Sequence, residues 1–219
     1  MRVVIAGGHG KIALLLARLL TTEGHEVASL IRNPEHTVAV RDAGAEPVLC
    51  DLTEVGDNEL ADAVKGCQAA FFAAGAGPNS GVDRKYTVDL GGSVRLAEAA
   101  ERAGLRRFLQ ISTMGAGLPP APDMGEQWAA YIDAKTKAEN DLRERDLDWT
   151  ILRPGRLTDS PGTGLVTLGP PSVGRAEVPR ADVAAVLAGL LLAAPTSGMT
   201  LELISGGTPV DQAIAQLTG

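Results

Sequence analysis

The stretch RVVIAGGHGKIALLLARLL, residues 2–20, joins two patterns at a glycine turn. RVVIA (2–6) is a short β-branched run suited to a buried strand. Ile12, Leu15, Leu16, Leu19 and Leu20 then recur at helical spacing until Gly24 stops the helix. Between the two runs Gly7, Gly10 and Ala13 are spaced G-x-x-G-x-x-A. Gly7 permits the tight turn, Gly10 lets backbone approach a pyrophosphate, and the small Ala13 lets helix pack close to strand. Such a pattern alone is weak, because tight strand-to-helix turns also occur without a nucleotide. Its place between a first strand and an amphipathic helix points to a dinucleotide cofactor.

The same alternation continues along the chain. EVASLI (26–31), EPVLC (46–50), AAFFAAG (69–75), RRFLQIS (106–112), DWTILRPG (148–155) and TLELIS (200–205) read as strands. Helical patterns fall after Pro34 to near Gly44 and over 58–66, 85–103, 126–145 and 181–193. Strands alternating with helices predict an α/β fold, a doubly wound parallel sheet of the NAD(P)-binding Rossmann kind. No Pro/Gly/Ser-rich break or charge block divides residues 1–219, so one domain is expected. Ligands of such sheets bind at the carboxyl ends of the strands. The Gly/Pro-rich loops at 76–84, 115–127 and 156–178 are therefore expected to form the substrate pocket, with 156–180 as a substrate-lid segment.

Composition narrows the function. The net charge of −7 is spread without a polybasic run, and aromatic residues make up 3%, which argues against nucleic acid or anionic membrane as partner. The longest apolar runs, such as VAAVLAGLLLAA (183–194), are too short to span a bilayer, and MRVVIAGGHG has no leader pattern, so a cytoplasmic protein is expected. Cys50 and Cys67 are isolated and read as reduced structural thiols; no metal is expected. The partner implied is a small molecule, and the oligomeric state is left open.

Cofactor preference is read after the second strand, where an acidic side chain suits the ribose of NAD and an arginine suits the 2′-phosphate of NADP. Arg32 and Asn33 stand there without Asp or Glu, which favours NADP(H) over NAD. Asp51, before Leu52, either caps the next turn or accepts from the adenine amino group. Lys11 lies in the first turn of a helix, where a cation opposes the dipole unless an anion is near; a phosphate contact and a solvated lysine are equally compatible. His9 has no partner at metal-ligand spacing and suits a ribose or phosphate contact better.

Three more stretches concern reaction. QIST places Ser112 at the end of the fifth strand, YIDAK places Tyr131 and Lys135 on one helix face, and RPG places Pro154 and Gly155 after the sixth strand. Ala134, Ala138 and Leu142 continue the stripe, so that face turns to the sheet and both polar side chains need partners there. With VIAGGHGKIA, Asp51-Leu52, AAGAG, VDLGGSVRLAEAA, DWTILRPGRLT and PRADVA, the chain over essentially its whole length resembles the short-chain dehydrogenase/reductase superfamily. Within that superfamily it resembles the compact atypical NAD(P)H-binding or NAD-dependent epimerase/dehydratase-like members.

The resemblance implies a pyrophosphate turn at Gly7, Gly10 and Ala13, with His9, Lys11 and Ile12 beside it. It implies Arg32 and Asn33 at the 2′-phosphate, Asp51 and Leu52 at the adenine, and Ala74 and Gly75 beside the ribose. It further implies Tyr131 as acid/base, Lys135 holding the nicotinamide ribose and lowering the tyrosine pKa, Ser112 on the substrate oxygen, and Pro154 and Gly155 under the nicotinamide amide. One departure is Asp89, where many relatives carry Asn; it either alters the proton relay or braces its helix. Arg156 and Arg175 are either anion ligands or surface charges.

Hydride transfer makes or removes an alkoxide, so a proton must move at that oxygen, which Tyr131 can supply. The expectation is an NADP(H)-binding oxidoreductase acting on a small carbonyl or alcohol through Ser112, Tyr131 and Lys135. Two rivals are an NADP(H)-sensing regulatory or scaffold protein and a sugar-type epimerase/dehydratase, which the 64 residues after Gly155 leave little chain to serve.

Overall fold

The computed structural model describes residues 1–77, 80–119 and 125–217. Parts of two expected pocket loops, 78–79 and 120–124, lie outside the described residues. The Rossmann half follows the sequence pattern: β1 (Arg2–Ala6), α1 (Lys11–Thr22), β2 (Glu26–Ile31), α2 (Thr37–Asp42), β3 (Glu46–Leu49), α3 (Asp57–Val64) and β4 (Ala69–Phe72). There follow α4 (Val82–Arg84), a π-helical segment Lys85–Gly91, α5 (Gly92–Arg102), β5 (Arg107–Ile111), α6 (Glu126–Arg143) and β6 (Asp148–Pro154). The remainder comprises β7 (Arg156–Thr158), β8 (Leu165–Gly169), β9 (Glu177–Pro179), α7 (Arg180–Leu192), β10 (Met199–Ser205), β11 (Thr208–Pro209) and α8 (Val210–Ala215).

Among the described residues a nine-stranded sheet runs β11-β8-β10-β6-β5-β4-β1-β2-β3, parallel from β10 to β3. Alternating side chains feed two cores. Val3, Ile5, Phe71 and Leu109 face α1 and α7, whereas Val4, Ala6, Phe72 and Phe108 face α5 and α6. This two-sided burial is why the strands read as continuous apolar runs. The order of strands reverses between β1 and β4, and the glycine turn sits at that switch point.

Two expectations change. The single helix over 85–103 is divided, because a π-helical segment widens the turn at Lys85–Gly91 before α5 begins. Lys85, Val88 and Asp89 of that segment are buried. Residues 156–178 are not simply loops: β7 pairs with β9 in a small sheet, and β8 joins the main sheet antiparallel to β10. Their period is too short, and their Gly/Pro content too high, for strand character to show before β10 supplies a partner.

The glycine turn is built by close approach. Gly7 has φ 77°, and a Cβ there would stand 2.6 Å from the Cα of Ala74, which follows β4. A Cβ on Gly8 would meet Cβ of Ser29 at 2.5 Å. The turn thus needs glycines for packing before any ligand arrives. Gly7→Ala is expected to destabilise the cofactor-free protein by about 2–3 kcal/mol, combining a left-handed non-glycine residue with the backbone clash. Urea unfolding without nucleotide measures this, and unchanged stability would confine Gly7 to ligand contact.

Candidate functional site

Where β1 and β4 part, a groove of about 290 Å³ opens at the carboxyl ends of the strands. Of the residues expected to bind cofactor, Gly7, His9, Gly10, Arg32, Asp51, Leu52, Ala74 and Gly75 line it. The floor is the glycine turn, tightened by the Gly10 N–H donating to the Gly7 carbonyl at 2.8 Å. Gly10 caps α1 without a side-chain hydrogen bond, and the first turn of α1 carries no acid of its own against its positive end.

The far end of the groove is cationic. Arg32 after β2 and Arg84 of α4 both line it and both act on the charge of Asp51. Burial pushes the Asp51 carboxyl up, but hydrogen bonds from the Thr53 N–H and hydroxyl, at 2.9 and 2.8 Å, outweigh it and hold the group below the usual range. Asp51 is therefore a turn cap that also lines the groove. His9 stacks on His36 with ring centroids 3.6 Å apart, and burial together with the His36 charge pushes His9 down, so near neutrality it offers a neutral ring. Nothing in local spacing brings Arg84 of α4 to the groove, and His36 follows Arg32 by four residues with no motif to mark it.

The other expected cofactor contacts are engaged elsewhere. Lys11 is ion-paired to Asp159 at 2.6 Å, and Asp159 also accepts from Arg180 at 2.6 Å. A carboxylate from the C-terminal segment thus stands where a phosphate was considered. Ile12 packs on the core beneath α1. Asn33 caps the turn Pro34–His36, its side chain accepting from the Glu35 N–H at 3.0 Å. Pro154 is the last residue of β6, and Gly155 donates to the Leu203 carbonyl at 2.8 Å. A Cβ on Gly155 would collide with the Ala176 carbonyl, so that glycine serves the close passage of the β9 segment. None of these five lines the groove. Arg156 pairs with Glu177, which accounts for one of the two candidate anion ligands as a surface charge.

Tyr131, Lys135 and Glu139 are spaced along one face of α6, and Lys85, Asp89 and Ser93 along the segment packed against it. Lys135 is buried; its Nζ donates to the Ile111 carbonyl at 3.2 Å and lies 3.3 Å from Asp89 Oδ1. Asp89 Oδ2 accepts from the Ala76 N–H at 3.1 Å. Of the two roles open to it, Asp89 therefore fills an electrostatic one: it faces the site lysine and fixes the loop after β4. Tyr131 is half-buried and held through its ring, 5.8 Å from Lys135 Nζ, 5.6 Å from Lys85 Nζ and 5.2 Å from the Trp128 ring. Among the described residues no hydrogen bond engages its hydroxyl.

Ser112 stands just past β5, buried, with its hydroxyl already engaged. Its hydroxyl donates to Glu139 Oε1 at 2.6 Å, and that fully buried carboxylate also accepts from Arg153 and Arg143. With its proton committed, Ser112 retains only acceptor capacity. Thr113, the next residue, is half-buried, and among the described residues its hydroxyl makes only a long 3.4 Å contact to the Met114 carbonyl. Glu139 was legible only as a polar residue on a buried stripe, four residues beyond Lys135.

The comparisons bear on this geometry. A family model described as NAD(P)H-binding matches residues 7–194. An uncharacterized sugar epimerase of Bacillus subtilis, YhfK, is 34% identical, covering 99% of this chain and 100% of its own. A structure from Bacillus halodurans, provisionally named an NAD-dependent epimerase/dehydratase, superposes with a TM-score of 0.91 at 34% identity, covering 99% of each chain. The oxidoreductase YlbE of Lactococcus lactis gives a TM-score of 0.86 at 28% identity, covering 99% of this chain and 96% of its own. On its family match, its sheet and its glycine-floored groove, the chain belongs to the NAD(P)H-binding family, within the atypical short-chain dehydrogenase/reductase-like group.

Proposed function

We propose that the chain is an NADP(H)-dependent oxidoreductase that moves hydride to or from a small carbonyl or alcohol, with Tyr131 as acid/base. The observation that carries this is the placement of Tyr131: a phenol whose hydroxyl no described residue engages, its ring beside the buried Lys135 ammonium that donates to the end of β5, in a chain with a groove of dinucleotide type. Gly7 and Gly10 with the open end of α1 suit a pyrophosphate, and Arg32 with Arg84 suits a 2′-phosphate. When bound, the nicotinamide supplies the hydride chemistry.

The chain's own residues handle the proton and the geometry. Tyr131 Oη gives its proton to the developing alkoxide, or takes it from an alcohol. Lys135, oriented by Asp89 and the Ile111 carbonyl, has a donor left for a ribose hydroxyl. Ser112, acceptor-only because of Glu139, orients a hydroxyl rather than a carbonyl, and Thr113 is the neighbouring hydroxyl with a proton to donate. The segment 156–180 closes the substrate side, its Asp159 meeting Lys11 near the glycine turn.

A second reading, epimerase or dehydratase, is favoured by the names of the Bacillus relatives. Against it, much of the chain after Gly155 is spent on β8, β10, β11 and α7, which leaves little to hold a nucleotide sugar. An epimerase would convert substrate with no net change in NADPH absorbance.

Tyr131→Phe is expected to lower kcat/KM for NADPH-dependent carbonyl reduction by about 10²–10⁴-fold, with NADPH affinity held within about twofold. Turnover at the original rate would remove Tyr131 from the mechanism. NADPH is expected to bind more tightly than NADH, and Arg84→Ala to weaken NADPH by about 10-fold while sparing NADH, as expected for loss of one charge-assisted hydrogen bond. Arg32→Glu should reverse the preference. Equal calorimetric affinities of the wild type for the two nucleotides would sink the NADP assignment.

A further inference from the structure

Lys85 is 5% exposed, yet among the described residues no carboxylate pairs with its ammonium. Its contacts are the Gly77 carbonyl, to which it donates, and the face of the Tyr131 ring at 5.6 Å. Two carboxylates of the helices packed around it are committed elsewhere, and among the described residues no contact joins Asp83 of α4 or Glu126 of α6 to it. Asp89 holds Lys135 and the Ala76 N–H, and Asp133 accepts from the Tyr86 hydroxyl at 2.8 Å and pairs with Lys137 at 2.7 Å. A buried ammonium met only by one neutral acceptor and a ring face keeps two donors and lacks a countercharge, an arrangement that folding alone disfavours. The chain nevertheless places it in a π-helical turn, a distortion found disproportionately at functional sites.

We propose that Lys85 receives an anionic substituent, a carboxylate, on the carbonyl compound that reacts at Tyr131. This rests on Tyr131 being the acid/base of the proposed oxidoreductase. The asymmetry between the two lysines carries the argument. Lys135 is charge-compensated by Asp89, so the positive charge beside the phenol that remains unmatched belongs to Lys85. The phosphates of the dinucleotide are poor claimants, since Lys85 does not line the groove that holds the glycine turn, Arg32 and Arg84. A compact ammonium with little exposed surface suits a small planar carboxylate, whereas a phosphate is better matched by the forked guanidinium groups of the groove. Trp128, 47% exposed and 5.2 Å from the Tyr131 ring, adds an aromatic wall for the remainder of such a substrate. The substrate class is therefore an oxo acid or hydroxy acid.

The test uses the full-length protein loaded with NADPH. In kinetics, pyruvate and phenylpyruvate are compared with their methyl esters. In calorimetry, the non-reducible oxamate and phenylacetate are compared with oxamide and phenylacetamide. The wild type is expected to favour acid over ester by at least about 50-fold in kcat/KM, and to bind a carboxylate probe but not its amide. Lys85→Gln, which can still donate to the Gly77 carbonyl but lacks the charge, should reduce the acid preference to about twofold, leave ester turnover within about threefold and leave NADPH affinity unchanged. Lys85→Arg should restore most of the preference. A purely structural Lys85 would lower acid and ester turnover together, and that result overturns the proposal, as does a wild type that binds none of the carboxylate probes. Ester turnover without acid preference would overturn the carboxylate and leave the oxidoreductase standing. Carboxylate binding lost in Lys85→Gln, with no oxo compound turned over, would retain Lys85 as the anion receptor while the oxidoreductase falls.

Discussion

The site depends on one buried ion pair. Asp89 and Lys135 are each at most 5% exposed, and their 3.3 Å contact joins the π-helical segment before α5 to α6 beneath the ends of β4 and β5. A pair so enclosed adds little net stability over an apolar contact, but removing one partner strands the other charge at a cost of about 3–5 kcal/mol. Its value lies in register. Once Asp89 meets Lys135, the residues four positions earlier, Lys85 and Tyr131, meet in their turn. Four positions later, Ser93 donates to Gln110 at 2.6 Å while Glu139 takes the Ser112 proton. Two helices with polar residues at matching spacing thus set a ladder whose first rung is chemical and whose last rungs are buried bracing.

The cofactor half rests on a different constraint, the distance between backbones. Gly7 stands so close to Ala74 that any side chain would collide, so β1 and β4 can separate only above that point, and the groove begins there. This explains why Ala74 and Gly75 line the groove although they belong to another loop. Asp89 Oδ2 holds the N–H of Ala76 in the same loop, which links the position of the groove wall to the ion pair.

Much of this was legible in the sequence where periodicity or turn chemistry acts locally. The glycine turn, the strands from β1 to β6, the buried face of α6 and the proximity of Tyr131 to Lys135 all follow from spacing within one element or one turn. What escaped depends on contacts between elements distant in sequence. Strand β8 exists because β10 offers it a partner, and Arg84 lines the groove from α4, far along the chain from Arg32. QIST announced a hydroxyl at the end of β5 but not which way its proton points, since Glu139 lies 27 residues away. Lys11 was balanced between solvent and phosphate, and the carboxylate that meets it comes from a segment whose structure periodicity could not show. The missed Lys85 did leave a trace. Lys85, Asp89 and Ser93 are polar residues at four-residue intervals on a helix whose apolar positions predict that same face buried, and such a pattern asks for partners as plainly as YIDAK does.

Charge placement unites these observations. The chain carries a net charge of −7, a balance that repels anionic ligands at long range. Its surface cations are largely spent on local carboxylates, as with Arg106 and Asp146, Lys137 and Asp133, and Arg145 and Asp141. At the carboxyl ends of the strands the pattern inverts: Arg32, Arg84 and the glycine turn that opens α1 line the groove with few acids to answer them, and Asp51 is already occupied by Thr53. Within a partly desolvated groove such charges act more strongly than on the surface, because less water screens them. An anionic dinucleotide therefore meets repulsion over most of the molecule and attraction in one place, so the acidic surface sharpens the selectivity of the site even as it slows the encounter.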